Sequence, residues 1–267
     1  MQKGKLKERA DKIVVDRGLA ESRHKAQALI MAGLVYSGKT RIEKPGERLG
    51  IDQEIFVKEP IPFVSRGGLK LEEALNEFQI SVNGKVAADL GSSTGGFTDC
   101  LLQRGARKVY AVDVDTRQID QRLREDPRVS LIEKNARYLE ADDFEDPLDL
   151  ITLDLSFISV LKVLPALRNI LAEGLLLALI KPQFEVGRGH VGKKGVVRDS
   201  GLHQEVLIRI VNEGKRIGFY AKAFFKTSIR GQKGNQEFFL LWSLHDSALP
   251  PERIKVLIKE AVWNEKN

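Results

Sequence analysis

The succession of apolar runs predicts an α/β protein, a doubly wound sheet of seven strands with the last one antiparallel, preceded by a small α+β module. Three observations carry this. Residues 86–90 form a short apolar run holding Asp89, followed by a turn with Gly91, Gly95 and Gly96 and by helical spacing from Phe97, the strand, glycine turn and helix of an α/β nucleotide site. Five such runs, 86–90, 109–112, 129–132, 148–153 and 174–180, are each expected to lead into a helix, which implies right-handed crossovers and parallel pairing. The first 70 residues hold 15 Lys/Arg against 9 Asp/Glu, while the rest balances, so the front reads as a separate basic module.

From the front, residues 9–17 and 22–31 read as two short helices. Ser22 is a candidate N-cap, Ala26, Leu29 and Ile30 form a stripe, and Gly33 closes the second helix. Residues 34–36 and 51–57 read as short strands, giving a first domain over 1–59. Residues 60–68 form a linker, stiffened by Pro60 and Pro62 and released by Gly67 and Gly68. The second domain, 69–267, opens with a helix on Leu71, Ala74, Leu75 and Phe78, and Lys70 lies off its apolar stripe. Runs at 220–225 and 237–242 complete the seven strands, and 250–262 has the spacing of a docked helix.

Several classes are excluded by composition. No apolar run approaches the roughly 18 residues of a membrane span, and the N-terminus has no apolar signal segment. The single Cys100 gives no disulfide framework, and the four histidines form no cluster with it. A cytoplasmic protein without a structural metal is expected. The basic front favours a polyanion, because each neutralised phosphate releases counterions.

The glycine order selects the ligand. A pyrophosphate site uses G-x-G-x-x-G. Here the order differs, and Asp89 just before the turn opposes a pyrophosphate and suits a cationic ligand such as S-adenosylmethionine. Asp113 falls 22 residues beyond Gly91, where such folds place the acid that accepts from a ribose. The candidate cofactor residues are Asp89, Gly91, Ser92, Gly95, Gly96, Phe97, Asp113, Asn135, Ala136 and Asp154. With Lys181, the strand-end residues should converge on the carboxyl rim of the sheet, and Glu237 reaches that rim if the last strand is antiparallel. Gly91-Ser-Ser93-Thr-Gly95 also matches a hydrolase nucleophile elbow, with Asp154 and His190 or His203 as partners. However, Ser93 follows the first strand and no H-G-G-G string is present.

Two strings of residues resemble known families. Arg9-x-Asp11, Gly18, Ser22-Arg23, Ala26, Ile30, Gly33 and Val35 follow the order of the S4 RNA-binding module, with Tyr36-Ser37-Gly38 standing where that family has Val-Asn-Gly. The resemblance implies phosphate contacts at Arg9, Arg23, His24, Lys25 and Lys39. Lys70, Asp154, Lys181 and Glu237, with Asp89-Leu-Gly-Ser-Ser-Thr-Gly-Gly-Phe97, resemble the K-D-K-E tetrad and cofactor motif of FtsJ-type ribose 2′-O-methyltransferases. An S4 module in front narrows the resemblance to the TlyA family, often named hemolysin A. Residues 65–70, 181–185 and 228–237 support it; Asp115-Thr116-Arg117 departs from the usual glycine-containing turn. It implies a Rossmann-like fold dependent on S-adenosylmethionine, ribosomal RNA or ribosomal subunits as partner, and methyl transfer to cytidine riboses.

That chemistry requires a ribose hydroxyl to lose its proton. Lys181 is the candidate base, with Lys70 as the neighbouring cation. Asp154 and Glu237 would orient the two lysines. Arg66, Arg188, Lys193 and Lys194 are further candidate RNA contacts, the last three in a glycine-rich loop over 187–198 expected to be mobile. The rival readings are a non-catalytic RNA-binding protein and a lytic protein without methyltransferase activity; the second would need a membrane-active segment that hydropathy does not offer.

Overall fold

The computed structural model describes residues 6–31, 33–58, 61–192, 195–245 and 249–263. The chain divides into two compact units, Met1–Ile61 and Pro62–Asn267.

The first unit runs β1 (Lys7–Arg9), α1 (Ala10–Asp16), α2 (Arg23–Met31), β2 (Val35–Ser37), β3 (Thr40–Arg41), β4 (Arg48–Gly50) and β5 (Ile55–Val57). Strand β1, which the helical reading of residues 9–17 overlapped, pairs antiparallel with β4, and β3-β2-β5 form a second small sheet. Gly18 and Gly33 take positive φ where the helices end, and Ser22 Oγ accepts from the Lys25 N–H at 3.2 Å, the cap that its position predicts. Ala10, Val14, Ala26, Ile30, Val35 and Ile42 fill the core.

In the second unit α3 (Arg66–Glu77) leads into β6 (Val86–Leu90), α4 (Gly96–Gln103), β7 (Lys108–Asp113), α5 (Gln121–Arg124) and β8 (Val129–Glu133). There follow β9 (Leu150–Leu153), α6 (Leu164–Ile170), β10 (Leu175–Ile180), α7 (Pro182–Glu185), α8 (Ser200–Ile217), β11 (Tyr220–Lys226), β12 (Phe238–Ser243) and α9 (Pro251–Trp263). The sheet order is β11-β12-β10-β9-β6-β7-β8. Strands β6 to β10 are parallel, and β12 is antiparallel to both of its neighbours.

Alternation along the strands makes two cores. Ala88, Leu90, Ile151, Leu153, Ala178, Ile180, Leu240 and Trp242 join the side of α6, α8 and α9; Ala87, Val109, Leu177, Leu179, Phe239 and Leu241 join the side of α3 and α4. One expectation fails. Between β8 and β9 no α-helix forms, only single 3-10 turns at Ala136–Tyr138 and Ala141–Asp143. Polar side chains fasten these turns: Asn135 Oδ1 accepts from the Arg137 N–H, and Asp143 Oδ2 accepts from the Glu140 N–H. Local side-chain bonds of this kind compete with helix formation. No helix among the described residues is long and apolar enough to cross a membrane.

Candidate active site

Asp154 is the first residue beyond β9 and Lys181 the first beyond the adjacent parallel strand β10, so the two side chains meet. Lys181 Nζ lies 2.8 Å from Asp154 Oδ1 and donates to Ser156 Oγ at 2.9 Å. Because β12 runs antiparallel, with Ile180 opposite Phe238, Glu237 arrives at the same rim from the other direction. Its Oε2 accepts from Lys70 Nζ at 2.6 Å, and its Oε1 faces Gln183 Nε2 at 3.5 Å. Lys70 is carried there by α3, whose start is capped by Ser65 Oγ accepting from the Gly67 N–H. Both lysine side chains are 11% exposed, Glu237 is 2% and Asp154 24% exposed, so the Lys70–Glu237 pair is largely desolvated and the Lys181–Asp154 pair less completely so. All four residues line one cleft of about 320 Å³.

A larger cleft of about 870 Å³ opens beyond β6 to β9, lined by Gly91, Asp113, Asn135, Ala136 and Asp154 among others. Asp113 accepts from the N–H groups of Ser93 and Asp115 at 2.9 and 3.1 Å. The two clefts share Gly91, Ser93, Asp154, Ser156, Phe157 and Phe184. Gly91 has φ +86, and a Cβ there would fall 2.8 Å from the Asp154 carbonyl oxygen, so only glycine allows this approach. Two buried polar atoms here have no hydrogen-bond partner, Ser92 Oγ on the smaller cleft and Asp154 Oδ1 on the wall that both clefts share. The second is close to Lys181 but off the hydrogen-bonding direction. A hydroxyl and a carboxylate oxygen left in this state suit the ammonium and carboxylate of an amino-acid-bearing nucleoside.

Other expected positions turn out differently. Asp89 reaches neither cleft: it is fully buried, accepts from the Thr98 N–H and hydroxyl at 2.9 and 2.7 Å and faces Thr152 Oγ1 at 3.3 Å. Burial pushes its carboxyl up to about 7. It fastens β6 to the start of α4, because a carboxylate near the end of the strand, below the glycine turn, finds the Thr98 donors before any ligand. Gly95 also stays off both clefts, its φ of +94 and its packing on Leu123 excluding a side chain. Gly96 lines the smaller cleft, where a Cβ would strike Ser65 Oγ. Phe97 lies on the same wall and stacks on Phe239 at 6.1 Å.

Among the expected RNA contacts, Arg9 and Arg23 are held by Asp11, which is fully buried and accepts from Arg9 Nε and Nη2, Arg23 Nη2 and Gln27 Nε2. Arg9, then Gln27 and Arg23, keep that carboxyl well below the usual range. His24, Lys25 and Lys39 are exposed. Arg66 is exposed at the smaller cleft. Lys193 and Lys194 lie outside the described residues, and Arg188 falls in a single turn, Arg188–His190. The end of the glycine-rich loop, expected to be mobile, is anchored. Val197 is buried, its N–H donates to Asn235 Oδ1 at 3.0 Å, and its carbonyl meets His203 Nε2 at 3.1 Å.

Sequence reasoning missed Ser156, Phe157, Gln183 and Phe184, which line the smaller cleft. Phe157 has φ +64 and is 91% exposed, against Phe184 at 4.9 Å. It also missed Glu185, buried, which accepts from Ser159 Oγ and the Val160 N–H at 2.6 and 2.8 Å and so ties the loop after Asp154 to the helix after Lys181. An acid four residues past the lysine was the available signal.

The strand order, with an antiparallel strand inserted between the fifth and sixth, and a cleft at the carboxyl rim define a methyltransferase-type α/β domain. A candidate S-adenosylmethionine-dependent methyltransferase from Listeria monocytogenes shares this fold at 15% identity, with a TM-score of 0.50 over 67% of this chain and 99% of that one. Residues 63–243 match the FtsJ-like methyltransferase family and residues 8–55 the S4 domain. The chain belongs to the TlyA family of S4-bearing, FtsJ-like methyltransferases. It is 39% identical to the 16S/23S rRNA (cytidine-2′-O)-methyltransferase TlyA of Mycobacterium tuberculosis, over 95% of this chain and 97% of that protein. It is 41% identical to hemolysin A of Brachyspira hyodysenteriae, over 86% and 97%. A solved structure of a candidate hemolysin from Streptococcus thermophilus is 42% identical, with a TM-score of 0.73 over 97% of this chain and 96% of that one.

Proposed function

We propose that this chain is an S-adenosylmethionine-dependent rRNA (cytidine-2′-O)-methyltransferase in which Lys181 takes the proton of the ribose 2′-hydroxyl. The observation that carries the reading is the pair of mostly buried lysine–carboxylate contacts, Lys181–Asp154 and Lys70–Glu237, on one cleft that shares a wall with a second, larger cleft of about 870 Å³. The activity for which the M. tuberculosis relative is named supplies the substrate class.

Asp113, Asn135 and Ala136 would hold the nucleoside part of the cofactor, and Ser92 Oγ and Asp154 its amino-acid part. When bound, the cofactor supplies a methyl group on a sulfonium. A ribose hydroxyl is a weak nucleophile until deprotonated, and Lys181 Nζ, aimed by Asp154 and Ser156, accepts its proton in the neutral form. Lys70, held by Glu237, donates to the same oxygen as negative charge develops on it. The exposed side chains of Lys25 and Lys39, with His24 beside them, meet RNA phosphates.

The test measures tritiated methyl transfer from S-adenosylmethionine to 16S and 23S rRNA, in subunits from cells lacking the gene, with the label mapped by nuclease digestion. Label on cytidine 2′-oxygens is expected. RNA binding without transfer would leave a non-catalytic RNA-binding protein, and label on a base rather than a ribose would remove Lys181 from its role.

A further inference from the structure

We propose that the outer face of the β3-β2-β5 sheet in the first unit is a stacking platform for an unpaired RNA base. This rests on the rRNA reading and adds a contact to it. Arg41, Tyr36 and Phe56 are direct cross-strand partners and form one row over the three strands. Val35 and Ile55, which alternate with them, point into the core at 0% and 6% exposure, so the row faces outward.

The row combines aromatic faces with cations. The Tyr36 and Phe56 rings stack at 5.8 Å and 15°, and Lys58 Nζ sits 4.3 Å from the Tyr36 centroid. Lys39 is exposed at the two-residue turn joining β2 to β3, where Gly38 has φ +57. Neither Lys39 nor Lys58 forms an ion pair among the described residues; Arg41 pairs with Glu43 at the surface.

Cross-strand aromatic pairs do steady a small sheet. Yet the core beneath is already filled by aliphatic residues, and Phe56 remains 36% exposed. Tyr36 also stands where the S4 pattern has valine. Aromatic faces among unneutralised cations take up an unstacked base and its phosphates, whereas a duplex hides its base faces. The basic excess of the front of the chain, 15 Lys/Arg to 9 Asp/Glu over the first 70 residues, gives the matching charge.

The test titrates the full chain, at one salt concentration, into two labelled RNAs: a hairpin with a single-stranded loop and a blunt duplex of equal length. Phe56→Leu keeps the apolar volume and removes the π-face. It should weaken hairpin binding about tenfold, leave duplex binding unchanged and keep the melting temperature. Phe56→Trp should restore hairpin affinity, and its fluorescence should be quenched by the hairpin, relative to the wild-type chain, but not by the duplex. Should Phe56→Leu fail to fold, the quenching alone decides. Wild-type hairpin affinity in Phe56→Leu, equal losses on both RNAs, or no quenching would overturn the platform. So would a loss seen only on intact subunits, which would assign the face to a ribosomal protein. A wild-type chain that binds neither RNA nor subunits would instead sink the rRNA reading itself.

Discussion

Lys181 and Asp154, each the first residue past one of two neighbouring parallel strands, face each other at 2.8 Å. The contact follows from the adjacency of two strand ends: Ala178 lies opposite Leu153, so Asp154 is level with Leu179 and the lysine side chain reaches back across two residues. We expect Lys181→Ala to retain S-adenosylmethionine affinity in equilibrium dialysis while methyl transfer falls at least about 10²-fold, the lower end for a lost general base. Lys181→Arg should be equally inactive, since a guanidinium does not deprotonate. Near-normal turnover in either variant would remove the residue from that role.

The Lys70–Glu237 pair lies almost entirely out of water. Glu237→Gln should destabilise the protein by roughly 3 kcal/mol, because it strands a buried ammonium. Replacing both partners, Lys70→Met with Glu237→Leu, should recover much of the melting temperature without recovering activity. If the double variant stays as unstable as the single one, the loss comes from packing instead of charge.

Asp89 carries an unusual pH signature. Its folded-state pKa of about 7 lies well above the ordinary value of about 3.9. Between those limits the folded protein holds a proton that the unfolded chain has lost, so this residue's contribution to stability falls as pH rises through that window. Asp89→Asn keeps an acceptor for Thr98 and has no charge. Its melting temperature relative to wild type should rise from pH 5 to pH 8, and a difference independent of pH would show that the carboxyl titrates normally.

Phe157 sits at a positive φ with nearly its whole ring in solvent, a combination that packing does not reward. Such backbone strain costs about 1–3 kcal/mol and tends to persist at functional sites. Phe157→Gly should raise the melting temperature while lowering RNA methylation with little change in cofactor affinity. A variant that is less stable and fully active would show the strain to be incidental.

The residues legible in sequence were those tied to strand ends. Asp113, Asn135, Asp154, Lys181 and Glu237 each stand at the edge of an apolar run, and the sheet brings them to the clefts because strand register is cooperative. Asp89 instead lies inside its strand, level with Ala111 and Thr152, two residues short of the level of Asp113 and Asp154, and there Thr98 supplies donors that composition does not announce. Arg9 and Arg23 read as exposed cations and stay 42% and 56% exposed; what the sequence did not show is that both pair with the buried Asp11, which depends on folding two helices together. Ser156, Phe157 and Phe184 lie in irregular segments, where no periodicity marks a residue as facing a cavity.

The smaller and larger clefts hold six residues in common, Gly91, Ser93, Asp154, Ser156, Phe157 and Phe184. A nucleotide lodged in one would thus redraw the doorway of the other. Occupancy of the two should be coupled and reciprocal: whatever factor RNA changes in the affinity for the methyl donor, the donor should change in the affinity for RNA.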